Sequence, residues 1–335
     1  MKKLLKLLIK LVLGILIIVV ILAIALNVAG AISYSEFYST ASAKEPMPGL
    51  ADGFVPQGLD RIDGGFIVAG YMNDDSASRL YYLEDGADAP TVITLRKENG
   101  KDFTGHCGGV AHYGDYFYIG GSGGLYIFSL SDITDGDGEA KQIGKFEAGM
   151  TASWVYVYDG YVYIGKFVDG GQYEASDWQS NTTPAGDENP SVMARFRLTG
   201  AQDTFGISNI PDCAYSMTHW VQGAAVNEDG IILSTSSGIN TSRFYFYAWD
   251  KIGDATSIEY GDEGFTAGGT IPLYHLDSES LTYTLKAIPM AEEIEIFDGR
   301  VYVANESACM KYFFGWLVGG QKFYSFELKS EYFGK

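Results

Sequence analysis

A short pattern that occurs five times constrains the fold of this chain more than any other feature. Each copy is an apolar run, a tight turn rich in Gly and Asp, and a second apolar run, and the copies begin at Gln57, Gly108, Ser153, Gln222 and Glu292. Alternating apolar residues on both sides of such a turn predict a β-hairpin. A hairpin that returns at long intervals predicts a β-propeller, because one four-stranded blade cannot bury both of its faces alone.

Aromatic-rich segments after each hairpin supply the outer strands of the predicted blades. Two such segments follow each of the first four copies, whereas the fifth copy is followed only by the segment from Lys322. We therefore predict an all-β, five-bladed propeller with about 58 residues per blade. Six blades are the alternative, if the long intervals after Asp159 and after Asp229 contain a degenerate repeat. We expect the segment between Ser35 and Ser42 to donate the missing strand and close the ring.

The N-terminus predicts a membrane anchor. Four lysines precede an uncharged span from Leu11 to Ile32, and as a helix this span would be about 33 Å long, enough to cross a bilayer. A cleaved signal peptide is the alternative, because the span ends in small residues. The lysines place the N-terminus in the cytoplasm, so we expect a single-pass protein of the cell membrane with its propeller outside the cell.

The predicted organisation has four parts. Residues 1–10 form a cytoplasmic basic segment, residues 11–32 a transmembrane signal anchor, residues 33–50 a linker with the ring-closing strand, and residues 51–335 the propeller. Without the four N-terminal lysines, 19 basic residues stand against 42 acidic ones, a formal charge of about −23 outside the membrane. This charge disfavours nucleic acid and anionic lipid as partners and tolerates cations such as Ca²⁺. We expect a monomer.

The topology of a propeller predicts where a site would lie. The innermost strand of every blade starts at the same face, so the residues at these starts should surround the mouth of the central channel. These candidates are Gln57, His106, Ser153, Trp154, Gln222, Glu292 and Glu293. Two long loops open at the same face. They span 169–190 and 305–321, and the second adds Glu306 and Lys311, with Trp316 further along.

Each candidate has a structural interpretation beside a functional one. The two glutamines either bind a polar ligand or satisfy backbone groups, His106 binds ligand or caps its loop, and Trp154 stacks on ligand or plugs the channel. Adjacent strand residues face opposite ways, so only one of Glu292 and Glu293 should face the channel. That residue should be paired with Lys311 or bound to a cation, because an isolated buried charge is costly.

These residues support three hypotheses. In the first, Gln57 and Gln222 hydrogen-bond a small polar ligand, a sugar or a peptide, and Glu292 anchors its cationic or hydroxyl group. In the second, Glu292 and the two amides hold Ca²⁺, and His106 is the base of a lactone or ester hydrolase. The third is a protein-interaction platform, which would expose an apolar patch. No sequence motif of a hydrolytic nucleophile is present.

Several segments carry a resemblance to known propellers. They are HCGGVA at His106, TASWVYVYDGYVYIGKF at Thr151, QGAAV at Gln222, and IPMAEEIEI followed by NESACMKY. They resemble exported propeller proteins of Gram-positive bacteria that have no established activity. That resemblance implies a shared pocket, made of Gln57, His106, Gln222, Glu292, Glu293 and Glu306.

More remotely, the repeats look like those of the gluconolactonase and strictosidine-synthase-like propellers. The calcium-dependent members of that group hold a divalent metal in the channel with carboxylate and amide oxygens, which Glu292, Gln57 and Gln222 would imitate. This chain has Gln where those enzymes more often use Asn or Asp, and it has no clear catalytic acid beside the metal.

Overall fold

The computed structural model describes residues 2–312, 315 and 320–335, so Trp316 of the second loop lies outside the described residues. Within these described residues there are three α-helices: α1 (Lys2–Ser33), α2 (Ser35–Thr40) and α3 (Leu130–Thr134). The remaining structure is mostly strands, arranged as the predicted five-bladed propeller. Helix α1 is long and apolar enough to cross a membrane, and a signal sequence would have the same properties.

The blades follow one another along the chain. Blade 1 consists of β2 (Phe54–Ile62), β3 (Gly65–Met72), β4 (Arg79–Glu84) and β5 (Thr91–Arg96). Blade 2 consists of β6 (Val110–Tyr113), β7 (Tyr116–Gly121), β8 (Gly124–Ser129) and β10 (Gly144–Glu147). Blade 3 is built on β11 (Trp154–Tyr158), β12 (Tyr161–Gly165), β15 (Ser191–Leu198) and β16 (Ile207–Met217). Blade 4 consists of β17 (Val221–Val226), β18 (Gly230–Thr235), β19 (Ser242–Ala248) and β22 (Leu281–Ala287). Blade 5 consists of β23 (Ala291–Phe297), β24 (Arg300–Asn305), β25 (Lys322–Glu327) and the N-terminal β1 (Ala41–Pro46).

Asp-Gly turns explain two of the inner hairpins. Asp159 and Gly160 have φ of 45° and 77°, and Asp298 and Gly299 have φ of 50° and 69°. A two-residue turn with both central residues at positive φ twists in the same sense as the strands that it joins. These turns therefore fix the registers of β11 with β12 and of β23 with β24.

Ring closure uses a strand that begins later than predicted. Strand β1 pairs antiparallel with β25 from Ala41 to Pro46, whereas Ser35–Thr40 of the predicted donor forms helix α2. The helix buries Phe37 against the rings of Tyr324 and Phe326. The helical turn puts Phe37, and in part Tyr38, against the blade and leaves Ser35, Glu36 and Ser39 exposed.

The two long intervals of the chain do not form a sixth blade. The first contains the short hairpin of β13 (Asn181–Thr182) and β14 (Glu188–Asn189). The second contains β20 (Thr256–Tyr260) and β21 (Gly269–His275), and β21 pairs parallel with β16. Blade 3 thereby becomes a six-stranded sheet. In the same way β9 (Glu139–Lys141) pairs parallel with β5 and extends blade 1.

Glycines allow the five innermost strands to approach one another closely. Each of β2, β6, β11, β17 and β23 contacts the next strand around the ring. A Cβ atom at Gly109 would lie 2.2 Å from the Cα of Trp154, and one at Gly223 would lie 2.6 Å from the Cα of Glu293. At Gly109 and Gly223 the backbones of neighbouring innermost strands are in direct contact, so neither position has room for a side chain.

We expect Gly109→Ala to destabilise the propeller by about 1–3 kcal/mol, because the added methyl group forces the innermost strands of blades 2 and 3 apart. Thermal unfolding of the detergent-solubilised full chain, followed by near-UV circular dichroism, measures the effect. Gly253→Ala is the matched control, since a Cβ there meets nothing within 4 Å. Equal melting temperatures for the two variants would contradict this account of the axis.

Candidate functional site

Three innermost strands begin with a break in their regular pairing. The register shifts between Pro56 and Gly58 in β2, between Val221 and Gly223 in β17, and between Ala291 and Ile294 in β23. The residues at these shifts are Gln57, Gln222, Glu292 and Glu293. A bulge leaves the extra residue unpaired and re-aims its side chain, and bulges are common next to active sites. Four predicted site residues therefore lie at bulges rather than in regularly paired strand positions.

Glu292 and Glu293 do not divide into one exposed and one buried side chain, as strand alternation predicted. The two residues are 2% and 1% exposed, and both carry a buried carboxyl oxygen that has no hydrogen-bond partner among the described residues. The bulge explains this outcome, because it breaks the alternation that sends neighbouring side chains to opposite faces of a strand.

Glu306 organises the contacts at the mouth. Tyr71 donates a hydrogen bond of 3.2 Å to its Oε1, and Gln57 and Tyr312 also donate to this carboxylate. Lys311 donates to the hydroxyl of Tyr71 at 2.8 Å and lies 4.7 Å from the centre of its ring. Burial raises the pKa of Glu306, and these hydrogen bonds and the Lys311 charge oppose the rise.

His106 packs against the ring of Tyr71. The two rings stack with centroids 4.4 Å apart and planes 22° apart. The imidazole is exposed, and its pKa is lowered by partial loss of hydration and by the charge of Lys311. We call Gln57, Tyr71, His106, Glu306 and Lys311 the mouth cluster.

Glu292 is the acidic neighbour of the mouth cluster. Its pKa is raised well above the usual range, first by burial and then by the charge of Glu306, while a hydrogen bond from Ser236 opposes the rise. In the part of the chain that the structure describes, Lys311 makes no ion pair with Glu292 or Glu293. The expected neutralisation by Lys311 is thus absent from these contacts, and Glu292 keeps one carboxyl oxygen without a partner.

Glu293 lies one residue deeper and joins three blades. Its Oε2 accepts the backbone N–H of Leu59 at 2.7 Å and that of Val110 at 2.9 Å. Leu59 belongs to the innermost strand of blade 1 and Val110 to that of blade 2, so the carboxyl group spans the axis. Burial raises the pKa of Glu293 well above its usual range, and the two backbone hydrogen bonds oppose the rise. This arrangement is that of a structural residue.

A second polar group lies past Glu293 on the same strands, and we call it the far-end cluster. It consists of Asp60, His112, Tyr156 and Glu295. His112 Nδ1 lies 2.8 Å from Asp60 Oδ2; burial lowers the pKa of this imidazole, but the hydrogen bond and charge of Asp60 raise it overall. Burial and the charge of Asp60 raise the pKa of Glu295 well above its usual range.

The remaining predicted residues do not join the mouth cluster. The hydroxyl of Ser153 accepts the backbone N–H of Phe167 at 2.8 Å. Trp154 is 0% exposed and its indole ring covers Gly165, its partner across β12, so the expected stacking face is not accessible. Gln222 stands half-buried at its bulge on β17. In loop 169–190, Trp178 donates to Asp262 at 2.9 Å, which fastens the loop to the blade 3 insertion.

Sequence reasoning missed Tyr71, Ser236 and the far-end cluster. Tyr71 lies near the end of β3 and pairs with Val55 of β2, which is two positions before Gln57. The residues at the end of the second strand of each hairpin were therefore further candidates for the channel mouth. Nothing in the sequence indicated which of those ends would bear on the channel.

The donor set for a metal ion is limited. Among the residues that the structure describes, no group of three or more His, Cys, Asp or Glu side chains is placed to hold a metal ion. A calcium site at Glu292 would therefore depend on amide oxygens, as the resemblance to calcium-dependent propellers implies.

Comparison with known proteins finds solved structures that are similar to this chain only at low identity. No protein-family model matches it, and no curated protein matches it. The glutaminyl cyclase of Myxococcus xanthus has a TM-score of 0.43 and 11% identity, over 86% of this chain and 94% of that one. The RS223 β-xylosidase has a TM-score of 0.42 and 11% identity, over 85% and 93%. A gluconolactonase of Xanthomonas campestris has a TM-score of 0.37 and 12% identity, over 86% and 95%. These likenesses assign no function, and none supports the resemblance to exported propellers of Gram-positive bacteria.

We expect the propeller to lose stability as the pH rises from 5 to 8. The carboxyl groups of Glu292, Glu293 and Glu306 have raised pKa values in the folded chain, so the folded state binds more protons than the unfolded state above the ordinary pKa of Glu. Stability from these groups is complete below that pKa and is lost as the pH rises through the folded values. Melting temperatures at several pH values measure the slope.

The variant Glu293→Gln should flatten this slope and keep the fold, because an amide oxygen accepts the same two N–H groups. By contrast, Glu293→Ala should cost roughly 2–6 kcal/mol, since it leaves both donors buried without a partner. If both variants unfolded alike, the charge of Glu293 rather than its hydrogen bonds would hold the axis.

Proposed function

We propose that this protein is a membrane-tethered binding module, in which the mouth of the propeller channel binds a small polar ligand, a sugar or a short peptide, outside the cell. Helix α1 would remain as the anchor, and the propeller would act as a monomer. The ligand would present a hydrogen-bond donor, a primary ammonium or a hydroxyl group, to Glu292.

One observation carries the proposal: the Oε1 atom of Glu292 is buried and has no hydrogen-bond partner among the described residues. A buried polar atom in this state costs about 1–3 kcal/mol, and a donor from a ligand would recover that cost. Glu306 stands close enough for its charge to raise the pKa of Glu292. Two neighbouring carboxyl groups favour a cationic or donor-rich ligand over an anionic one.

The mouth cluster supplies the other contacts of a polar site. Gln57 offers an amide that can both donate and accept, and it already reaches Glu306. The exposed ring of His106, held by stacking on Tyr71, offers a flat surface in place of Trp154. Small-molecule sites typically combine such faces with a few convergent polar groups.

Isothermal titration of the detergent-solubilised full chain with four probes tests the proposal. The probes are glucosamine and glucose, and the tripeptide Ala-Ala-Ala with and without an N-terminal acetyl group. An ammonium probe should bind with release of protons, because its charge favours ionisation of Glu292. The measured enthalpy should then depend on the ionisation enthalpy of the buffer, whereas a neutral sugar should bind without this dependence.

Glu292→Gln should weaken binding about tenfold or more, since a charge-assisted hydrogen bond is lost. Glu295→Gln is the matched control, because it removes a carboxyl group with a raised pKa from the same strand but at the far end of the channel. The proposal fails if none of the four probes binds at millimolar concentration, or if the two variants weaken binding equally.

The calcium-dependent lactone or ester hydrolase is the second hypothesis, and a melting experiment separates it from the first. We expect the melting temperature to be the same in EDTA and in millimolar Ca²⁺, because the described carboxylates form no metal-ligating group of three. Calcium bound to the folded chain would raise the melting temperature by mass action. A rise of several degrees that Glu292→Gln abolishes would replace the binding module with a calcium site.

The third hypothesis, an interaction platform, would need an exposed apolar patch and stays a prediction. Exposed large apolar side chains of the described propeller include Val92 on β5, Ile143 before β10, Ile210 on β16, Trp220 before β17 and Ile239 after β18. Single exposed apolar residues are normal for a soluble domain.

A further inference from the structure

A cleft at the turn end of blades 3 and 4 has a lining unlike the rest of the propeller. Its volume is about 440 Å³, within the range of small-molecule sites. Aromatic side chains form its walls: Tyr158, Tyr161, Tyr163, Tyr215, Tyr274 and Trp249. Polar groups complete it: Arg195, Asp159, Asn227 and Glu228. We call this the tyrosine cleft.

The register of blade 3 produces the aromatic wall. Tyr163 pairs with Arg195 across β12 and β15, and Tyr215 pairs with Tyr274 across β16 and β21. The rings of Tyr215 and Tyr274 stack with centroids 5.4 Å apart. Because β21 belongs to the insertion that widens blade 3, the cleft is a product of this insertion. Tyr158, Tyr161 and Tyr163 of the third hairpin therefore line a cleft outside the channel, whereas Tyr156 belongs to the far-end cluster.

Arg195 is the unsatisfied group of the cleft. Its Nε is buried and has no hydrogen-bond partner among the described residues. Its Nη1 donates a long bond of 3.4 Å to Tyr215, and its Nη2 lies 4.0 Å from Asp212, which pairs more closely with Arg197 at 2.9 Å. The guanidinium lies over the ring of Tyr161 at 4.4 Å. The Arg195 side chain is 25% exposed, so the accessible part of its guanidinium can donate to acceptors of a ligand.

We propose that the tyrosine cleft is a second ligand site and that it binds a saccharide. Tyr158, Tyr161 and Tyr274 are half-buried, so their rings can pack on the C–H faces of pyranose rings, and the planar guanidinium of Arg195 can donate to adjacent hydroxyl groups. The exposed carboxylates of Asp159 and Glu228 accept hydroxyl protons at the rim. With two carboxylates against one guanidinium, the lining is net negative, which favours a neutral sugar over a sugar acid.

Titration of the detergent-solubilised full chain with cellobiose, maltose, xylobiose, chitobiose and digalacturonate tests the proposal. We expect at least one neutral disaccharide to bind with a Kd of about 0.1–10 mM, and digalacturonate to bind more weakly. Arg195→Gln and Arg195→Lys should each weaken that binding about tenfold, because neither side chain offers the planar fork. The matched control is Arg197→Gln on the same strand, which should stay within about twofold.

Asp159→Asn is a second test of the cleft in case the arginine variants do not fold. Asp159 is exposed and has φ of 45°, a conformation that Asn adopts readily, so the turn should survive while a carboxylate acceptor is lost and binding weakens severalfold. Glu292→Gln, at the channel mouth, should leave the Arg195-dependent part of this binding unchanged, which separates the cleft from the proposed channel site. The proposal is overturned if no disaccharide binds, or if binding is indifferent to Arg195 and Asp159 and is lost with Glu292→Gln.

Discussion

The hydrogen bonds of Glu293 are the interaction on which the centre of this propeller depends. The innermost strands turn one backbone edge toward the axis, and the N–H groups on that edge need acceptors. Glu293 Oε2 satisfies two of them, at 2.7 Å and 2.9 Å, from two different blades. One side chain of blade 5 thereby fixes the positions of blades 1 and 2, and it divides the mouth cluster from the far-end cluster.

The role of Glu293 as an acceptor for two blades depends on the bulge at the start of β23. In a regular strand, Glu292 and Glu293 would face opposite sides of the sheet, and only one could reach the channel. The register shift between Ala291 and Ile294 removes this restriction. Glu293 then accepts two backbone N–H groups of the ring with one oxygen, while Glu292 lies beside Glu306 with a hydrogen bond from Ser236, and each keeps its other carboxyl oxygen without a partner among the described residues. The two adjacent glutamates differ in role because one has backbone donors to accept and the other does not.

Sequence alone predicted the five blades, because Asp-Gly turns and alternating apolar residues are local features that define each inner hairpin. It also predicted that Gln57, His106 and Glu292, at or beside strand starts, would lie at the same face as Glu306 and Lys311 of a long loop; that they form a binding site stays a prediction. It did not predict the burial of Trp154, which depends on its being opposite Gly165 in the register. Nor did it predict the parallel pairing of β21 with β16, because long-range pairing leaves no local pattern.

Backbone strain gives a further reason to place binding at the mouth. Three residues other than Gly adopt left-handed conformations immediately before or close to the start of an innermost strand: Cys107 with φ of 55°, Trp220 with φ of 66° and Met290 with φ of 63°. Each such residue costs of order 1–3 kcal/mol and persists only where the surrounding structure enforces it. Their positions coincide with the face where the bulges and the unsatisfied Glu292 lie. One end of the ring thus combines backbone strain, irregular strand pairing and a buried carboxyl oxygen without a partner among the described residues. Functional sites often break the rules of regular local structure in these ways.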